Sequence, residues 1–265
     1  MKRDVSARIV LNVTEAADLV FAIAVSSAYA PTSERFSATL DGTSIDYREL
    51  SDAHGTRLHR IEAQPGELVV EYAATIEGAA EPAPATDTDL LVYGRPSRYA
   101  ESDALAPTAV AEFDGLTGSA ELLAAVSSWV GTRLAYVSGS SLPTDGAVRT
   151  LLARQGVCRD YSHLSVALLR ALGIPARLVA VYAPGLSPMD FHAVAEAWVD
   201  GAWRVVDATT LAPRQTLVRI ATGRDAADTA FLNIISGRAD LGDVTVSAVA
   251  DSLPNDDITQ LVSIT

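Results

Sequence analysis

The sequence predicts an α+β protein in which an all-β antiparallel amino-terminal domain precedes a mixed core of helices and a β-hairpin. Three observations carry this. Residues 1–93 alternate apolar and polar side chains between turn signals. The period then changes to that of amphipathic helices from Leu116. Beyond Pro175 a run of β-branched segments is closed by the hairpin dipeptide Asp200-Gly201.

In the first 93 residues the strand segments lie near Ala7 to Val13, Val20 to Val25, Phe36 to Leu40, Thr56 to Ala63 and Glu67 to Ile76. Asp41-Gly42 and Pro65-Gly66 mark turns between them, a spacing that predicts a sandwich or small barrel. The start of the chain has features of a leader: Lys2-Arg3, apolar stretches, and an Ala28-Tyr29-Ala30 triplet. Glu15 and Asp18 interrupt the apolar run, so the segment reads as two strands around a turn and the protein as cytoplasmic. Residues 77–89, rich in Ala, Pro, Glu and Thr, read as an exposed loop.

Residues 94–115 read as a linker, 116–240 as the core, and 241–265 as a final strand, near Val244 to Val249, with a polar tail. Within the core, Leu122, Val126, Trp129, Val130 and Leu134 recur at helical spacing, predicting a helix from Ser119, a fair N-cap, to about Tyr136. A shorter helix follows near Ala147 to Arg154.

With 265 residues, burial of a sizeable core is not limiting, and no apolar run approaches the roughly 18 residues of a membrane span. A formal net charge of −13 argues against nucleic acid and anionic lipid as partners, because both repel an acidic surface. The chain holds one cysteine, which excludes intramolecular disulfides and multi-cysteine metal sites. No cofactor or metal is implied.

That cysteine, Cys158, opens a helix whose apolar stripe is Tyr161, Leu164, Leu168, Leu169 and Leu172, and which Gly173 and Pro175 end. In a first helical turn, unpaired backbone N–H groups and the positive end of the helix dipole favour a thiolate, with Arg159 adding charge. The same N–H groups suit a developing oxyanion. A lone helical cysteine is equally a small core residue, and the residues downstream decide between the two readings.

Arg177 to Tyr182 and His192 to Val199 read as strands joined by a loop over 183–190, and Asp200-Gly201 turns the chain into Trp203 to Thr209. A two-residue loop sets Trp198 opposite Trp203, Glu196 opposite Val205 and Val194 opposite Asp207. His192 and Asp207 are then diagonal neighbours on one face, within reach of a hydrogen bond. Glu196 shares the face but lies four residues from His192, roughly 13 Å along the strand. The chain thus offers a nucleophile, a base and an orienting carboxylate, although spacing leaves open whether Cys158 meets His192.

Other residues read more plainly. His163 is a packing or capping residue, and His54 and His59 are surface residues. Trp198 and Trp203 are core, with a wall of the acyl pocket as their functional alternative. Tyr136 is a buried, capped phenol or else an oxyanion donor.

The segments Gly156-Val157-Cys158-Arg159-Asp160-Tyr161, Leu172-Gly173-Ile174-Pro175-Ala176-Arg177, Asp190-Phe191-His192-Ala193 and Trp203-Arg204-Val205-Val206-Asp207-Ala208-Thr209 together resemble the bacterial transglutaminase-like superfamily. The resemblance implies a papain-like core in which a cysteine begins a helix packed on an antiparallel sheet. It implies a catalytic triad at Cys158, His192 and Asp207. Tyr93-Gly94-Arg95-Pro96-Ser97-Arg98-Tyr99 and Gly223-Arg224-Asp225-Ala226-Ala227-Asp228 extend it beyond the core. Ala193-Val194-Ala195 departs from it, since an aromatic residue commonly follows the His-Ala pair, and this bears on the acyl pocket.

The expected function is cysteinyl acyl-enzyme chemistry on peptide or other amide bonds of a peptide or protein substrate, with hydrolysis favoured over transfer to an amine. A non-catalytic binding module, with the β-rich part as its recognition surface, is the contrasting class.

Overall fold

The computed structural model describes residues 1–52 and 54–265. In chain order the elements begin with β1 (Lys2–Phe21), β2 (Ser33–Leu40), β3 (Thr43–Ser44), β4 (Arg48–Ser51), β5 (Arg57–Ala63) and β6 (Gly66–Glu77). Helices α1 (Asp87–Tyr93), α2 (Ser102–Glu112) and α3 (Ser119–Arg133) follow, then β7 (Ala135–Tyr136), α4 (Ala147–Ala153) and β8 (Gln155–Gly156). The rest is α5 (Cys158–Ala171), β9 (Ala176–Tyr182), β10 (Phe191–Val199), β11 (Ala202–Val206), β12 (Val218–Gly223), α6 (Ala226–Thr229) and β13 (Leu232–Ala250).

Strand β1 is the axis of a seven-stranded antiparallel sheet. Along one edge it pairs with β6 over residues 2–13 and with β5 over 17–21; β13 runs along the opposite edge. Where two strands around a turn were expected, the chain makes one strand, with a register shift against β13 at Ile9/Leu11 and bulges between Val13 and Leu19. The bulges keep phase: Val5, Ile9, Leu11 and Val13 before them, and Ala17, Leu19 and Phe21 after them, all point inward. Glu15 and Asp18 therefore interrupt the apolar sequence without turning the chain.

The core sheet has the order β11-β10-β9-β12, and α5 packs against β9 and β10. Residues Asp160 to Arg170 are all buried, because α2, α3 and α4 cover the faces of α5 that the sheet leaves open. The hairpin register is the expected one, with Trp198 opposite Trp203 and Glu196 opposite Val205. Asp200 and Gly201 adopt φ of 52° and 71°, the left-handed pair a tight two-residue hairpin needs.

The two sheets share one core. Tyr182, Val218, Ile220 and Ala221 pack with the inward residues of β1, and the Tyr182 hydroxyl donates to the Ile23 carbonyl at 2.7 Å. The fold is therefore α+β, a papain-like core preceded by an antiparallel β region, as the sequence predicted.

Several local expectations are corrected. The 94–115 stretch read as a linker contains α2, with Pro107 inside the helix. Residues 87–93 form α1, capped by Thr86 and Asp89 in a reciprocal box, where a loop to residue 89 was expected. The last strand starts at Leu232 and completes the amino-terminal sheet, so that sheet draws on residues well beyond 93.

Candidate active site

Cys158 is the first residue of α5, half-buried, with Val157 as N-cap. Asp160 at the third helical position accepts the Val157 N–H at 2.8 Å, holding the chain just ahead of the cysteine. Gly156 makes room for this: a Cβ there would lie 2.6 Å from the Asp160 Cβ. Ser141 donates to the other Asp160 oxygen at 2.9 Å. Arg159 donates to Ser141 Oγ at 2.6 Å and to the Leu142 carbonyl at 2.7 Å, so the 137–145 loop is pinned to the start of α5.

Sequence left the meeting of helix and hairpin open. Ser162, one turn after Cys158, donates to the Ala193 carbonyl at 2.9 Å and ties α5 to β10 beside His192. His192 and Asp207 are both buried. His192 Nε2 lies 2.8 Å from Asp207 Oδ2, while Asp207 Oδ1 accepts the Thr209 N–H at 3.0 Å and its hydroxyl at 2.6 Å.

Burial alone would push the His192 imidazolium down. The Asp207 carboxylate outweighs it and, with the adjoining Cys158 side chain, lifts its pKa to about 10. Burial works against the Asp207 carboxylate too, yet His192 and Thr209 hold it below the usual carboxylate range. The structure therefore brings Cys158, His192 and Asp207 together.

Tyr136 is not the buried phenol expected. It is 46% exposed, and β7 pairs with β8 so that it lies opposite Gly156. Its hydroxyl contacts both the backbone and the side chain of Cys158. Burial first, then the Cys158 charge, raise its pKa to about 12, so the phenol keeps its proton.

Glu196, the alternative carboxylate, is engaged elsewhere. It is fully buried between Arg177 (2.7 Å) and Arg219 (2.6 Å), which hold its pKa near 2 against the opposing effect of burial. Trp198 and Trp203 meet edge-to-face with centroids 5.3 Å apart, and Arg177 stacks 3.9 Å over Trp203. Neither indole lines the cleft, so they are core rather than acyl-pocket wall.

The histidines need one correction. His163 is a buried capping residue as expected, accepting the Ala226 N–H at 3.1 Å. His59 is fully buried, stacked on Phe36 at 3.8 Å and 3.2 Å from Glu49; inward alternation with Ile61 and Ala63 along β5 takes it off the surface. His54 lies 3.5 Å from Asp89.

Cys158 and His192 open onto a cleft of about 530 Å³. Sequence reasoning missed its far wall, formed by residues 226–231 with Asn233 and Val244 of β13. The Gly223 to Asp228 motif was the available signal, since Asp225 caps α6 through the Ala227 N–H at 2.9 Å. Among the described residues no three His, Cys, Asp or Glu side chains converge as a metal site.

The profile of the transglutaminase-like superfamily matches residues 107–208. The chain is also similar to a crystal structure from Cytophaga hutchinsonii, provisionally named a cysteine protease. The two share 31% identity and a TM-score of 0.88, over 99% of this chain and 96% of that one. An uncharacterised Mycobacterium leprae protein is 30% identical over 126 residues, 43% of this chain and 44% of its own length. An uncharacterised Mycobacterium tuberculosis protein is 35% identical over 124 residues, 41% and 39% of the two chains. The chain thus spans less than half the length of these mycobacterial relatives. Likeness over nearly the whole Cytophaga chain, together with the matched profile across the Cys158 helix and the His192 hairpin, makes this protein a member of the transglutaminase-like superfamily.

Proposed function

We propose that the protein is a thiol enzyme that cleaves peptide or other amide bonds through a cysteinyl acyl-enzyme, with Cys158 as nucleophile, His192 as acid and base, and Asp207 as the group orienting His192. One observation carries the proposal: a cysteine at the first position of a buried helix adjoins an imidazole whose other nitrogen is 2.8 Å from a buried carboxylate.

In the first step Cys158 sulfur bonds to the carbonyl carbon, its proton having passed to His192. With Nε2 engaged by Asp207, the nitrogen left for this transfer is Nδ1. The amide C–N bond then breaks as His192 returns the proton to the leaving nitrogen. In the second step water attacks the thioester, His192 takes its proton, and the C–S bond breaks to free acid and thiol. The α5 N–H groups and the protonated Tyr136 hydroxyl face the developing oxyanion.

Hydrolysis is favoured over transfer to an amine, and the provisional protease name of the Cytophaga relative supports that choice. The single unpaired thiol suits a reducing compartment, and we place the activity in the cytoplasm. No helix among the described residues is long and apolar enough to cross a membrane.

The deciding experiment is incubation with a peptide library and a labelled primary amine, read by mass spectrometry. Shortened peptides are expected; amine adducts would shift the assignment to acyl transfer. Unchanged peptides, with Cys158 no more reactive than in denatured protein, would leave a binding module.

A further inference from the structure

We infer that the cleft beside Cys158 binds a bulky apolar side chain, aromatic or branched aliphatic, adjacent to the reacting carbonyl of the substrate. This rests on the acyl-enzyme reading above and specifies its substrate. Most of the cleft lining is apolar, with Asp190, Thr229 and Asn233 as its polar members beside Arg159. Phe191, immediately before His192, and Phe231 stack with centroids 5.2 Å apart, and buried Ile220 lies between the two sheets. Ala226, Ala227 and Ala230 line the same cleft, with side chains that extend only one carbon from the backbone. A preformed apolar cavity next to a reactive group is suited to a complementary apolar group.

The wall is fixed in place rather than loosely draped. The Ala226 N–H donates to His163 on α5, Asp225 accepts the Tyr99 N–H at 2.8 Å, and the Phe231 carbonyl accepts the Ala22 N–H at 3.0 Å. The helix that presents Cys158 therefore also holds the opposite wall through His163. At the cleft margin one guanidinium nitrogen of Arg159 donates to Ser141 Oγ and to the Leu142 carbonyl.

The test reads labelling of Cys158, not turnover. Rates are compared for N-acylated phenylalanyl and glycyl chloromethyl ketones, with iodoacetamide as a reagent that needs no side-chain site. The phenylalanyl reagent is expected to label about tenfold or more faster than the glycyl one, the scale of burying one large apolar side chain. In Ala227→Phe, which fills the cleft from an exposed position, that ratio should fall towards one. Ala230→Leu gives a second, smaller obstruction should the first variant fold poorly. Equal rates for the two ketones, with iodoacetamide still reacting faster than in denatured protein, would overturn the inference and leave the acyl-enzyme reading standing. Slow labelling by all three reagents would overturn both.

Discussion

Asp207 meets His192 at 2.8 Å although the β10–β11 pairing ends one residue earlier, at Ala195 opposite Val206. The carboxylate leaves the ladder just where it is needed. It is held there by Thr209, two residues on, through both a backbone and a side-chain donor. Asp207→Asn preserves the shape but removes the charge that lifts His192. Activity is expected to fall by roughly 10⁴-fold, the loss typical of a triad carboxylate made neutral. The His192 titration should also move well below its present value near 10, measured by NMR of the imidazole; an unmoved titration would contradict the role.

Tyr136→Phe removes a hydroxyl that touches Cys158 while leaving the ring against Tyr161. If the phenol donates to the oxyanion, kcat drops by about 10²-fold with KM little changed. A change confined to KM would assign Tyr136 to substrate binding instead.

Gly156→Ala places a Cβ 2.6 Å from that of Asp160 and 2.8 Å from its Oδ2. The carboxylate must withdraw from the Val157 N–H, at a cost of about 1–2 kcal/mol, the range for a lost helix cap. Urea denaturation should show that loss, and Cys158 alkylation should slow because the first turn of α5 is no longer held. Unchanged stability would mean that Asp160 is not needed there.

Glu196 sets the acid limit. Its folded value near 2 lies below the 4.5 of an unperturbed glutamate, so the unfolded chain binds the proton more readily. The stabilisation is complete above about pH 4.5 and drains away as pH falls towards 2. Glu196→Gln leaves Arg177 and Arg219 buried without their counter-charge, costing about 3–5 kcal/mol at neutral pH. The variant should also lose the steep dependence between pH 4.5 and 2, seen as a flatter plot of denaturation midpoint against pH.

Local rules made the core readable. The Asp200-Gly201 turn dictates a register, the register selects Asp207 over Glu196, and Gly173, at φ of 79°, ends α5 where expected. Thr86 and Asp89 spelled out a helix start that the surrounding Ala-Pro composition masked, and α2 lay within the stretch read as a linker, with Pro107 at its middle. The parity of β5, which puts His59 on the face of Ile61 and Ala63, was the overlooked sign that the residue read as surface lies inside. What sequence could not supply was tertiary: the Ser162–Ala193 bond joining helix to hairpin, and the Ala226–Phe231 wall, both depend on contacts between distant segments.

The pairing of β13 with β1 carries a consequence for how the chain can be divided. The strand that begins the protein is zipped along its length to one made more than two hundred residues later, so neither half has a finished boundary of its own. Cutting between the β region and the segment that carries Cys158, His192 and Asp207 would strip a neighbour from β1 and open the joint interior at Tyr182 and Ile220. Heat or denaturant should therefore dismantle both parts in a single cooperative event, and a nicked chain should stay associated until that event.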